Sequence, residues 1–183
     1  MADHIFLIRH GQSTFNEHYD ATGVDPLHFD ARLTLKGRNQ VAAARAAAQT
    51  LAADLVVVSP LTRAIETGLG LFNPGQTRMI VSALHRERLG NSCDIGRRPG
   101  ELTAEFPMLD FSCLEECWWY DGAKDHRGVA VEPDPVLARR LAGFSAWLAA
   151  RTESRVAVIG HGTFFHRLTG RHFGNCEIVE WQP

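Results

Sequence analysis

His4-Ile5-Phe6-Leu7-Ile8-Arg9-His10-Gly11 and Arg155-Val156-Ala157-Val158-Ile159-Gly160-His161-Gly162 decide the fold. Each is a short apolar, branched run that ends in a histidine beside glycine. Such runs read as buried strands, and the histidine falls in the loop that follows. A third run, Leu55–Val58, leads into Ser59-Pro60, which predicts a helix with Ser59 as N-cap and Pro60 at its first position. Met79–Val81 predicts a further strand and Cys176–Trp181 a closing one. Helices are expected over Leu35–Ala52, with Thr34 as N-cap, and after Pro135, where Leu137, Leu141, Phe144 and Leu148 share one face. Residues 12–32 are polar and rich in turn formers, which predicts a loop with about one helical turn. The alternation of strands and helices predicts an α/β fold: three layers, with a mostly parallel sheet flanked by helices. In such sheets the site forms beyond the carboxyl ends of the strands.

Residues 86–131 break this rhythm with repeated glycine and proline, and read as a loop-rich insertion of short helices within a single domain spanning 1–183. Trp118-Trp119-Tyr120 within it reads either as the insertion's small core or as a wall on which a ligand stacks.

The composition narrows the function classes. A net charge of -2 and a pI near 6.5 argue against a nucleic-acid partner. Arg45, Gln49 and Asp54 interrupt the alanine-rich stretch from Val41 to Val58, which argues against a membrane span. The start shows no secretory pattern, so the expected location is the cytoplasm, with Cys93, Cys113, Cys117 and Cys176 reduced. Neither HxH nor HExxH occurs, so no metal and no cofactor is expected.

Phosphoryl transfer through an enzyme needs a nucleophile, cationic donors and an acid. Arg9-His10-Gly11 offers a nucleophile, an arginine and a glycine that would let a substrate approach the backbone. Ser59-Pro60-Leu61-Thr62-Arg63 places a second arginine near a helix start, where an anion is favoured. Gly160-His161-Gly162-Thr163 adds a second histidine, a further cation if charged.

Four segments, in order, resemble the histidine phosphatase superfamily, also called phosphoglycerate mutase-like. They are Arg9-His10-Gly11-Gln12-Ser13-Thr14-Phe15-Asn16, Leu33-Thr34-Leu35-Lys36-Gly37, Ser59–Thr67, and Gly160-His161-Gly162. Gln12 departs from the glutamate frequent at its position. The resemblance implies that His10 accepts the phosphoryl group and that Arg9, Arg63 and His161 hold it. It places Asn16 on phosphate or substrate, Thr22-Gly23 at the mouth, and Gly162 and Thr163 as nearby hydrogen-bonding positions. The family's acid follows the third strand. Leu84-His85-Arg86-Glu87 fits that place, with Asp94 as a rival and Glu101 as a distant one. The modest insertion favours a metal-independent phosphatase acting on a small phosphorylated substrate. The alternatives are a phosphoglycerate mutase and a catalytically silent phospho-ligand or protein-binding module. Retention of Arg9, His10, Arg63 and His161 speaks against the silent module. The substrate's identity and the oligomeric state are left open.

Overall fold

A computed structural model describes residues 2–182. The elements are β1 (His4–Arg9), α1 (Thr14–Thr22), α2 (Leu35–Thr50), β2 (Leu55–Val58), α3 (Thr62–Leu71), β3 (Arg78–Val81), α4 (Pro99–Glu105), α5 (Asp134–Ala149), β4 (Arg155–Gly160), α6 (Gly162–Thr169) and β5 (Ile178–Trp181). The strands form one sheet in the order β3-β2-β4-β1-β5, parallel except for β5. The expected α/β fold is what the chain adopts.

Alternation along the strands separates two cores. Ile8, Val56, Val58, Ala157 and Ile159 face one side, where they meet α2, α3 and the insertion's Leu102, Phe106 and Trp118. Ile5, Leu7, Leu55, Val57, Val156 and Val158 face the other, against Leu137, Phe144 and Leu148 of α5 and Phe164 and Phe165 of α6. Both faces of the sheet are therefore covered, which is why its strands read as unbroken apolar runs.

Residues 86–131 carry α4, a short 3₁₀ turn at Ser92–Asp94 and otherwise irregular chain, as expected. Trp118 is core. Its indole N–H donates to the Arg97 carbonyl at 2.8 Å, and its ring fills the space beside Gly96. Among the described residues no helix is long and apolar enough to cross a membrane, and the four cysteines are free thiols.

Three local expectations are corrected. Residues 14–22 form a nine-residue helix, longer than one turn, because Ser13 and Asn16 build a capping box at its start. Helix α3 begins at Thr62, with Leu61 in the cap position, so Ser59 is not its N-cap. The cap comes from a distant residue: the Asp30 carboxylate accepts the Thr62 N–H at 2.8 Å and its hydroxyl at 2.5 Å. The closing strand begins at Ile178, because Cys176 adopts a positive φ of 56° that no strand continues.

The glycine of Arg9-His10-Gly11 also serves a different purpose from the expected one. A Cβ on Gly11 would lie 2.8 Å from the carbonyl oxygen of Gly37, and a Cβ on Gly37 would lie 2.1 Å from that of Gln12. The two glycines let α2 press directly on the loop after β1. Gly37→Ala should therefore destabilise the protein by roughly 1–3 kcal/mol, although alanine is the better helix former. Gly143→Ala, on the open face of α5 with nothing near the added Cβ, should stabilise it by roughly 0.5–1 kcal/mol. Urea unfolding of both variants checks the pair; a gain at position 37 would refute the close-packing account.

Candidate active site

β1, β2 and β4 end side by side, and the chemistry-bearing residues follow at once. Arg9 pairs with Gly160 in the register, and the His10 N–H donates to the Gly160 carbonyl at 3.0 Å. His10 and His161 thus come out of the sheet together, with ring centroids 5.2 Å apart. Both are buried. Asn175 holds the His10 carbonyl from the chain before β5.

The His10 ring is fixed at both nitrogens. Nδ1 lies 2.7 Å from the Gly11 carbonyl, so it must carry hydrogen. Nε2 accepts from Arg63 Nε at 3.2 Å, so it keeps its lone pair. Burial, then Arg63 and Arg9, hold its pKa well below the usual histidine range. Burial and Arg63 lower that of His161 as well. His161 Nε2 sits 2.7 Å from Ser59 Oγ, and its Nδ1 has no protein partner. Ser59 therefore orients the second histidine rather than capping α3.

Arg63 is almost fully buried and spreads over three partners. Besides His10, it donates through Nη1 to the Cys93 carbonyl at 2.6 Å and through Nη2 to Asp94 Oδ1 at 2.9 Å. Burial works against its charge, but Cys93, Asp94 and Glu87 together outweigh that and raise its pKa. Arg9 donates to the Phe173 carbonyl through Nη1, while its buried Nε has no protein partner. Burial lowers its pKa, and Glu87 opposes the shift.

The two candidate carboxylates are held differently. Asp94 binds Arg63 and accepts from the Gly90 and Asn91 amides, so both of its oxygens are committed. Glu87 sits at the N-terminus of α6, accepting the Thr163, Phe164 and Arg88 amides at 2.8–2.9 Å. No cation lies within ion-pair distance of it among the described residues. Burial and the neighbouring Asp94 charge raise the Glu87 pKa. Burial also raises that of Asp94, against the pull of Arg63. Glu101 caps α4 through the Arg98 amide and lies outside this group.

His161 lies fully buried, outside the lining of a cavity of about 640 Å³ that most of the others share. Its walls include Arg9, His10, Asn16, Arg63, Glu87, Asp94, Gly162 and Thr163. Asn16 uses Oδ1 in the α1 capping box, which leaves its amide nitrogen for a ligand. Gly162 leaves room for Arg9: an added Cβ would meet its Nε at 3.2 Å. The Thr163 amide is spent on Glu87. Thr22 and Gly23 do not reach the cavity. Thr22 bonds the His18 carbonyl, and Gly23 closes α1 in the left-handed conformation, so the expectation that they line the mouth fails.

The cavity also takes in Phe15, Tyr19 and Asp20, and His166, His172 and Phe173 from the α6 side, which sequence reasoning missed. Phe15, Asn16, Tyr19 and Asp20 follow helical spacing and become visible as a stripe once α1 is recognised. His166 and His172 stack at 4.0 Å, and no spacing in the chain announces it.

The model of the histidine phosphatase superfamily (branch 1) matches residues 5–182. The chain belongs to that superfamily. A phosphoglycerate mutase-like protein of Arabidopsis thaliana is 30% identical over 232 aligned positions, covering 95% of this chain and 82% of the relative. A glucosyl-3-phosphoglycerate phosphatase of Mycolicibacterium vanbaalenii is 26% identical, covering 93% and 74%. Among solved structures, a mycobacterial glucosyl-3-phosphoglycerate phosphatase complexed with VO3 superposes with a TM-score of 0.62 at 21% identity, covering 98% of this chain and 90% of that one. The phosphoserine phosphatase of Entamoeba histolytica, solved with 3-phosphoglyceric acid, gives 0.57 at 17%, covering 97% and 89%. These last two likenesses confirm the fold of this histidine phosphatase superfamily member.

Behind the site lies His85, buried between Phe144 and Phe164, with Nε2 on the Ile159 carbonyl at 3.0 Å. Burial lowers its pKa to about 3. In the unfolded chain it takes a proton near pH 6.5, while in the folded chain it stays neutral down to about 3. Its contribution to stability is therefore complete above pH 6.5 and declines as pH falls. His85→Gln keeps a donor for Ile159 but does not titrate. The stability of wild type relative to this variant should fall by up to about 1.4 kcal/mol per pH unit below 6.5. Denaturant melts at pH 7.5, 6 and 5 measure it, and a constant difference would contradict the neutral assignment.

Proposed function

We propose that this chain hydrolyses a phosphomonoester through a phosphohistidine on His10. The observation that carries the reading is the state of that ring: Nδ1–H on the Gly11 carbonyl, Nε2 unprotonated, in a cavity whose cations include Arg9 and Arg63. A neutral imidazole whose Nε2 carries no proton is a nucleophile that needs no further base, once that nitrogen turns from Arg63 to phosphorus.

His10 Nε2 attacks phosphorus, a P–N bond forms and the P–O bond to the leaving group breaks. Glu87, protonated, gives its proton to the departing oxygen. The resulting carboxylate then takes a proton from water, whose oxygen attacks phosphorus. The P–N bond breaks, inorganic phosphate leaves and His10 recovers its lone pair. Glu87 suits this alternation because burial favours its protonated form while the amides on its oxygens favour the carboxylate. Asp94 is tied to Arg63 and serves to aim that guanidinium.

Arg9 and Arg63 neutralise the phosphoryl oxygens, and Arg63 keeps N–H groups beyond those the protein uses. With Ser59 donating to His161 Nε2, Nδ1 carries hydrogen and becomes a further donor. Asn16 contributes its amide nitrogen. These donors supply the charge stabilisation that a metal brings elsewhere, so the reaction runs without one and without a cofactor. The substrate is a small phosphorylated molecule and the setting is cytoplasmic.

His10→Ala should lose nearly all turnover, and brief reaction with ³²P-labelled substrate should give wild type, but not the variant, an acid-labile, base-stable adduct. An acid-stable adduct, or one that persists in His10→Ala, would show the nucleophile to be elsewhere. Glu87→Gln should lose about 10²–10⁴-fold on alkyl phosphates and far less on para-nitrophenyl phosphate, whose leaving group scarcely needs a proton. Collapse of Asp94→Asn on alkyl phosphates with Glu87→Gln near wild type would move the acid to Asp94. Activity should withstand EDTA and yield to vanadate, and EDTA inhibition relieved by a divalent ion would overturn the metal-free reading.

A further inference from the structure

Glu87 lies on irregular chain at the start of the insertion, yet its working position must be set to within a fraction of an ångström. The amides on its carboxylate fix only the end of the side chain. Its backbone is gripped from α5. Arg140 donates through Nη1 to the carbonyls of Leu84 at 3.1 Å and Arg86 at 2.6 Å, and through Nη2 to that of Glu87 at 3.4 Å. The same guanidinium lies over the Phe164 ring, 5.0 Å from its centroid, and the Phe164 amide is one of the three on Glu87.

Arg140 is itself fixed by Glu132, the residue at which the insertion meets α5. Glu132 is fully buried and receives Arg140 through two bonds, of 3.1 and 2.6 Å. It also accepts Arg86 at 3.3 Å through its carboxylate and Arg88 at 3.0 Å through its carbonyl. Its amide donates to the Leu89 carbonyl at 2.7 Å. Both neighbours of Glu87 are thus tied to one buried residue, Arg86 to its carboxylate and Arg88 to its carbonyl.

A buried ion pair is a poor device for stability alone, because apolar residues of like volume usually serve as well. What this pair offers, and apolar residues could not, is a rigid fork of donors aimed at three carbonyls around one glutamate. We propose that Arg140 and Glu132 are positioning residues that hold Glu87 in place to act as the acid. The proposal rests on the reading of Glu87 given above.

The test uses the full chain and two substrates, glycerol phosphate and para-nitrophenyl phosphate, with Glu87→Gln measured alongside. Arg140→Met should lower kcat on glycerol phosphate by about 10²-fold, the usual cost of a displaced catalytic group, with KM little changed. Its rate of His10 phosphorylation by para-nitrophenyl phosphate should fall by less than about threefold. The alkaline limb of kcat/KM on glycerol phosphate, which reports the protonated acid, should flatten as it does in Glu87→Gln. Arg140→Lys, which keeps a charge and can reach one carbonyl, should recover part of the loss. Glu132→Gln, nearly isosteric, should show the same substrate dependence more weakly, and it decides the matter if Arg140→Met fails to fold. Equal losses on both substrates with an unchanged pH limb would leave the pair a structural element only and overturn the proposal. Equal losses in Glu87→Gln would overturn the acid reading and this proposal together. Leaving-group dependence in Glu87→Gln alone would overturn only the positioning role.

Discussion

The parallel pairing of β1 with β4 is the constraint on which the site depends. Once Arg9 stands opposite Gly160, two glycine-flanked histidines leave the sheet at one level, and β2 ends beside them with Ser59. A slip of one residue would turn one set of side chains to the other face. The apolar alternation on both faces of the sheet forbids that slip, because Ile8 and Ile159 belong to one core while Leu7 and Val158 belong to the other. Burial of two hydrophobic layers thereby sets the distance between two imidazoles.

That burial also decides which groups carry charge. Histidines placed in this crevice are desolvated and faced by two guanidinium groups, so they lose their protons. The arginines resist the same burial because a guanidinium does not give up its charge in proteins and because Asp94 and Glu87 stand near Arg63. Neutral imidazoles and charged guanidinium groups therefore coexist a few ångströms apart. The two carboxylates divide by their partners: Asp94 is paired with a guanidinium, whereas Glu87 is held by backbone amides alone.

Much of this was legible in the chain. Short apolar runs ending in glycine and histidine mark buried strands whatever surrounds them, and their order with the intervening helices gave the layer architecture. His10, Arg9, Arg63 and His161 stand within a few residues of strand ends, so local reading placed them in one crevice. Glu87 was legible only through family resemblance. What escaped was long-range. Asp30 caps α3 across some thirty residues of sequence, and neither partner shows it alone. Ser59 looked like a cap because Ser-Pro is a common helix opening, but the histidine it serves lies on another strand. Gly11 looked like a concession to substrate, while its real neighbour is Gly37, in a helix whose docking angle no local pattern encodes.

Thr22 and Gly23 point to how a family pattern can outlive its role. In this chain α1 extends to Thr22, and Gly23 adopts φ of 68° to end it, so both residues are spent on closing a helix at the surface. The cavity wall on that side is built instead from the α1 stripe, with Phe15 beneath Tyr19 at 5.2 Å between centroids and Asn16 and Asp20 beside them. On this side it is therefore the face along the helix, not the chain after it, that meets the cavity. At the other end of the cavity, Arg9 and His10 are set by the end of β1 and Arg63 by the buried Asp94 carboxylate. The α1 stripe, His166 and His172 complete the wall, so one end of the cavity is built from strand ends and the other from helix faces.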